Sequence, residues 1–123
     1  MISSQSLATF LQKLVTTPEL IDFNEVIAAI NAHYDYTPTP FTNGIGEHKL
    51  VNEAGKNEGA CRIFYFAKLH NLTKEQTLAC FGNYYRDDVL KHPLGSDHSN
   101  IRKFIEYGWT GVCFDGVALV KSA

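Results

Sequence analysis

The spacing of apolar residues predicts two helices in the first third of the chain. Both show the i, i+3, i+4, i+7 repeat that places four side chains on one helix face. The first stripe is Leu7, Phe10, Leu11 and Leu14, and the second is Phe23, Val26, Ile27 and Ile30. Ser3, Ser4 or Ser6 can cap the first helix, which we expect to end near Val15. Asp22 with Glu25 resembles a capping box for the second, which we expect to end near Tyr34 to Tyr36.

The segment between Tyr36 and Glu58 breaks this pattern. It contains Pro38, Pro40, Gly44, Gly46 and Gly55, and only His48 to Val51 can form a short strand. Structureless segments of this length are uncommon in compact domains and are often functional.

Helical spacing returns after Asn57, which can cap a helix from Gly59 to His70. Its inner stripe is Ala60, Ile63, Phe64 and Ala67, and its few polar positions predict a central, buried helix. Thr73 and Gln76 form a capping box for a helix that stops before Pro93 and can kink at Gly82. A last helix, capped by Ser96 or Asp97, is expected to end at Gly108.

The C-terminal segment has the pattern of a β-hairpin. Val112 to Phe114 and Val117 to Val120 are joined by Asp115-Gly116, a pair that suits a two-residue turn. The sequence therefore predicts a single α+β domain over residues 1–123. About five helices surround a central buried helix, beside a small antiparallel sheet that includes the C-terminal hairpin.

Composition and charge exclude several classes of function. The 123 residues carry 11 Lys and Arg against 13 Asp and Glu, a net charge of −2, which disfavours nucleic acid and anionic membranes as partners. No apolar run approaches the roughly 20 residues that span a bilayer, so we expect a soluble protein. The odd number of widely spaced cysteines, Cys61, Cys80 and Cys113, favours a reducing compartment rather than a disulfide scaffold.

Four motifs together resemble one protein family. They are NEAGKNEGAC at residues 52–61, FGNYYR at 81–86, HPLGSDHSNIR at 92–102 and GWTG at 108–111. Their order and spacing resemble those of the HopJ type III effector family of Gram-negative bacteria, over about Phe23 to Lys121. Ala60 departs from the family pattern, in which a serine precedes the cysteine.

The resemblance implies a small bacterial protein grouped with effectors that a type III secretion apparatus delivers into host cells. It supplies no reaction, no catalytic residues and no cofactor. Ser3, Ser4 and Ser6 suit a serine-rich secretion signal, whereas an apolar stripe that begins at Leu7 suits a protein resident in the bacterial cytoplasm. The simplest interpretation is a binding module for a host or bacterial protein, or a homodimer; a resident protein that binds a small molecule or anion is an alternative.

Cys61 carries the enzymatic alternative, a cysteine-dependent hydrolase. In the first turn of a helix, free N–H groups and the helix dipole favour a thiolate. A hydrolase would also need a histidine base and a group that orients it. His98 with Asp97 is the best pair, and His92 is a reserve.

A second hypothesis is a pocket for an anionic ligand, formed by the loop from Phe41 to Glu58 and the segment from Arg86 to Arg102. The start of the central helix can supply backbone donors, and arginines can add bidentate contacts. The candidate ligand-binding residues are Asn43, Asn52, Asn57, Glu58, Arg86 and Arg102. His92, Asp97 and His98 offer metal-ligand atoms, but their spacing matches no known motif, so we predict no metal site.

Overall fold

A computed structural model describes residues 6–122 of the chain. Its α-helices are α1 (Leu7–Thr16), α2 (Phe23–His33), α3 (Glu58–Leu69), α4 (Lys74–Ala79) and α5 (Ser99–Tyr107). A π-helical segment spans Tyr84–Val89. The strands are β1 (Tyr34–Tyr36), β2 (Phe41–Asn43), β3 (Leu50–Asn52), β4 (Cys113–Phe114) and β5 (Leu119–Lys121). These elements confirm the α+β class.

Helix α3 is the centre of the core, as the sequence predicted. Its residues Ile63, Phe64, Phe66 and Ala67 are fully buried. The Phe64 ring is surrounded by the rings of four other residues at centroid distances of 5.0 to 6.3 Å: Phe41, Phe81, Phe104 and Trp109. Tilted and edge-on ring pairs of this kind add to the hydrophobic stabilisation of a core. In the described part of the chain, no helix is long and apolar enough to cross a membrane.

Three predicted helix starts are confirmed by their capping hydrogen bonds. The Ser6 hydroxyl accepts from the backbone N–H of Thr9 at the start of α1. Asp22 with Glu25 forms a complete capping box for α2, and Thr73 with Gln76 does so for α4. The alternatives Ser3 and Ser4 lie outside the described residues.

The helix predicted from Thr73 to Pro93 is interrupted. Helix α4 ends at Ala79, and the chain turns at Gly82, whose φ is +58°. A Cβ atom there would lie 2.7 Å from the backbone nitrogen of Phe23. A glycine is therefore required both for the left-handed conformation and for the close approach to the start of α2.

The C-terminal hairpin prediction is wrong. Strand β4 pairs with β2 in a three-stranded antiparallel sheet of order β3-β2-β4, whereas β5 pairs with β1 in a second, two-stranded sheet. A two-residue type I′ turn needs positive φ at both central residues. Neither Asp115 nor Gly116 is among the described residues with positive φ.

The segments 34–43 and 113–121 instead form one long antiparallel ribbon with a constant register. Tyr36 lies opposite Leu119 in one sheet, and Phe41 lies opposite Phe114 in the other. Between the sheets, Thr37 donates its N–H to Ala118, and Asp115 donates to Pro40. Pro38 and Pro40 have no N–H to donate, so they interrupt the ladder and divide the ribbon into two sheets.

Candidate functional site

A cavity of about 430 Å³ lies where the N-termini of α3 and α5 meet. Its lining combines three aromatic side chains with the first residues of the two helices. The cavity is lined by Phe23, Leu50, Asn57, Gly59, Ala60, Phe81, Tyr84, His98, Ser99, Asn100 and Ile101. A concave site with apolar walls and a few convergent polar groups is the usual form of a small-molecule site.

Both helices that face the cavity begin at a residue in the left-handed conformation. Asn57 precedes α3 and His98 precedes α5, each with φ 52°, and neither makes a side-chain capping hydrogen bond. The first N–H groups of a helix have no partner within the helix. Two helix ends with partial positive charge therefore point toward one space, which favours an anionic group there.

A network of four asparagines joins these helix starts to the sheet. Asn52 and Asn100 exchange side-chain hydrogen bonds of 3.1 and 2.9 Å. Asn43 donates to the carbonyl and side-chain oxygens of Asn100, and Asn57 donates to Asn52 at 2.7 Å. Asn43 and Asn52 are almost completely buried. The predicted cap Asn57 thus fixes the start of α3 through Asn52 rather than through its own helix.

His98 lies at the edge of the cavity beside two carboxylates. Its Nε2 atom lies 3.0 Å from Asp88 Oδ2 and 3.7 Å from Asp97 Oδ2. The Tyr84 ring packs beside the imidazole at a centroid distance of 5.0 Å. A hydrogen bond from Arg102 lowers the pKa of the Asp97 carboxyl, so that carboxyl is a carboxylate at neutral pH.

The two arginines expected in the pocket hold loops instead. Arg86 donates to the carbonyls of Pro18 and Ile21. Arg102 donates to the carbonyls of His92 and Asp97 and, at 2.6 Å, to the Asp97 carboxylate. Neither side chain lines the cavity. Arg86 and Arg102 therefore do not add contacts at the start of α3, because they bind backbone carbonyls of their own surroundings.

The first turn of α3 places Glu58 and Cys61 away from the cavity as well. Glu58 accepts a hydrogen bond of 3.1 Å from the Tyr36 hydroxyl. Cys61 is 1% exposed, and its thiol donates to the carbonyl of Thr39. Burial raises the pKa of the Cys61 thiol, which is the opposite of what a thiolate nucleophile requires. The cysteine-hydrolase hypothesis lacks support, since the His98 ring is hydrogen-bonded to Asp88 rather than to this sulfur.

Several residues of the site were not singled out from the sequence. Asp88 and Ser99 are ordinary polar residues in the chain, and Asn100 looks like a helix-start residue rather than part of a buried network. Phe23 lies on the predicted apolar stripe of the second helix, and Tyr84 occurs only within the FGNYYR motif. Only the tertiary fold turns both rings toward the cavity. The predicted cap of α5, Ser96 or Asp97, is replaced by His98.

Comparison with known proteins gives a family and one structural relative. The family model of the HopJ type III effector protein matches residues 7–119. One solved structure that the chain resembles is the crystal structure of the unknown-function protein VPA0580, whose sequence is 46% identical. The two structures match with a TM-score of 0.92, over 98% of this chain and 97% of that chain. No curated protein matches the chain significantly. Because the family match spans nearly the whole described chain, the protein belongs to the HopJ type III effector family.

Proposed function

We propose that this protein is a small binding module whose cavity holds a small anionic ligand with a planar apolar part. The observation that carries the proposal is the convergence of two uncapped helix N-termini on one cavity of about 430 Å³ with aromatic walls. A carboxylate or phosphate group is the expected partner of the backbone donors, and an aromatic or heterocyclic group suits Phe23, Phe81 and Tyr84.

The packing around the start of α3 supports this ligand class. Gly59 has no Cβ, and one built there would lie 2.9 Å from the Phe23 ring. The ring can therefore lie directly against the backbone of the first turn, which brings apolar surface next to the N–H donors. The nearest acidic side chain of that turn, Glu58, is bound to Tyr36 and does not line the cavity.

Phenyl phosphate is a direct probe, because it joins a dianion to one aromatic ring. We expect its titration to shift the amide NMR resonances of Gly59 and Ser99 in a saturable manner. Ala60→Asp places a carboxylate in the cavity and should weaken binding at least about tenfold by charge repulsion. A thermal melt verifies that this variant is folded, because Ala60 also packs against the core.

The matched control is Ala54→Asp, which adds the same charge in an exposed turn outside the cavity. This variant should bind phenyl phosphate within about twofold of the wild-type protein. The proposal is wrong if the wild-type resonances do not shift saturably, or if the two variants lose affinity equally.

The family supports a second part of the proposal, which concerns where the protein acts. We propose that the chain is delivered by a type III secretion system. It contacts a host protein after delivery or a bacterial protein before delivery. The full chain fused to a translocation reporter should give a host-cell signal in a secretion-competent strain. A strain without the secretion ATPase is the control, and an equal signal from both strains would contradict delivery by this route.

A further inference from the structure

We propose that Asp88, Asp97 and His98 form a binding site for a first-row divalent metal ion, with Zn²⁺ the best match. The proposal goes beyond ligand binding in the cavity and does not depend on it. Each of the three residues offers one ligand atom, and the three atoms lie within 4.8 Å of one another.

The spacing of these atoms fits a metal ion between them. Zinc binds imidazole nitrogen and carboxylate oxygen at about 2.0–2.2 Å, so two ligands of a tetrahedral ion lie roughly 3.4 Å apart. The Nε2 atom of His98 lies 3.0 Å from Asp88 Oδ2 and 3.7 Å from Asp97 Oδ2. The two measured distances bracket the expected value, and the two carboxylate ligand atoms lie within 4.8 Å of each other. Shifts of roughly 1 Å in exposed carboxylates would therefore complete the geometry.

Neighbouring side chains already hold two of the three ligands. Arg102 donates to Asp97 Oδ1 at 2.6 Å, which leaves Oδ2 as the oxygen that faces the histidine. Tyr84 packs against the His98 ring and limits its rotation. Outer contacts that orient the ligands are a regular part of protein metal sites.

The site borders the cavity, since His98 belongs to both. Three protein ligands leave at least one coordination position of a zinc ion free, as in catalytic rather than structural zinc sites. A metal ion bound there would add positive charge beside the two helix N-termini. This position would allow the ion to contact an anionic group in the cavity directly.

The donor set also decides which ions should bind. Imidazole favours zinc and other transition metals, whereas magnesium and calcium prefer sites made of oxygen alone. We therefore expect Zn²⁺ to bind much more tightly than Mg²⁺ or Ca²⁺ at the same concentration. Equal binding of all three ions would indicate attraction to exposed acidic side chains, and would overturn the proposal.

Isothermal titration calorimetry with ZnCl₂ in chelator-treated buffer tests the site with the metal alone. The exposed thiol of Cys113 is removed by Cys113→Ser in every protein used. We expect one zinc ion per chain, and an affinity lowered at least tenfold by Asp88→Asn and by His98→Asn. Asparagine suits the left-handed conformation of residue 98, so the second variant should fold.

Asp87→Asn is the matched control, because it makes the same change one residue from Asp88. Asp87 pairs with Lys91 and should leave zinc affinity unchanged. The proposal fails if the parent protein binds no zinc, if His98→Asn binds as the parent does, or if Asp87→Asn loses as much affinity as Asp88→Asn. Thermal melts without metal verify that each variant is folded. If Asp88→Asn or His98→Asn does not fold, the other variant is sufficient for the test.

Discussion

The thiol of Cys61 lies among core side chains at the start of α3. Its backbone position is in the first helical turn, where a helix dipole can stabilise a thiolate. Its N–H, however, already bonds to the carbonyl of Asn57 at 3.0 Å, and burial raises the pKa of the thiol. Desolvation of the charged form therefore outweighs the dipole at this residue.

Thiol labelling should separate the three cysteines. Cys113 is exposed, whereas Cys61 and Cys80 are buried, and burial raises the pKa of Cys80 to about 12. At pH 7.5 we expect iodoacetamide to modify Cys113 at least about tenfold faster than the other two in the folded protein. Mass spectrometry of the labelled peptides measures the three rates.

Denaturation in urea is the control for this experiment, because all three thiols should then react at similar rates. Rapid labelling of Cys61 in the folded protein would contradict its enclosure in the core. That result would also restore the cysteine-hydrolase hypothesis.

At the scale of elements, substitutions of Gly82 and Gly116 test how the chain turns. Gly82 has φ +58°, and a Cβ there would lie 2.7 Å from the Phe23 backbone nitrogen. Gly116 has no left-handed φ, and a Cβ would make an ordinary contact of 3.5 Å with Thr39. We expect Gly82→Ala to lower the free energy of unfolding by about 2–4 kcal/mol, from left-handed strain and overpacking.

Gly116→Ala should change that free energy by less than about 0.5 kcal/mol. Urea denaturation of both variants measures the difference. The comparison also tests the ribbon, because a tight hairpin turn at Asp115-Gly116 would need positive φ at residue 116 and would penalise alanine. A large loss of stability in Gly116→Ala would therefore favour the hairpin over the ribbon.

Local signals predicted the helices better than the strands. The capping boxes at Asp22 and Thr73 and the apolar stripe of α3 depend on residues close in sequence, and all were confirmed. The strand partners of the segments on either side of Asp115-Gly116 were not predictable from nearby residues. Pairing with residues 34–43 buries Phe41 against Phe114 at a ring distance of 5.2 Å, and that gain is visible only once distant segments meet.

At the scale of the molecule, the asparagine network links strands β2 and β3 to the starts of α3 and α5. Asn43, Asn52 and Asn57 could be proposed for the site from a polar loop next to a helix start. The hydrogen bonds that join them through Asn100 could not be predicted, because asparagine is also common in exposed turns and caps. Asn43 Oδ1 is the one buried side-chain acceptor in the described part of the chain without a hydrogen-bond partner.

Asn52 links Asn57 to Asn100 in this network and should tolerate no charge. Asn52 is 1% exposed, donates to Asn100 Oδ1 and accepts from Asn57 and Asn100. Asn52→Asp removes the donor and places a carboxylate against the oxygen of Asn100. We expect the free energy of unfolding at pH 7 to fall by about 3 kcal/mol, because a buried charge loses hydration and meets an acceptor. Urea denaturation measures the loss.

The pH dependence of this loss identifies its cause. Burial should raise the folded-state pKa of the introduced carboxyl above its unfolded value of about 3.9. The folded state then binds the proton more tightly. The loss of unfolding free energy is therefore complete above the folded-state pKa and shrinks as pH falls toward about 3.9.

Asn31→Asp is the control for the added charge, because Asn31 is exposed and accepts a hydrogen bond from Arg62. This variant should change the free energy of unfolding by less than about 0.5 kcal/mol. If both variants are equally stable at pH 7, the network does not join the two helix starts, and the cavity between them loses its structural basis.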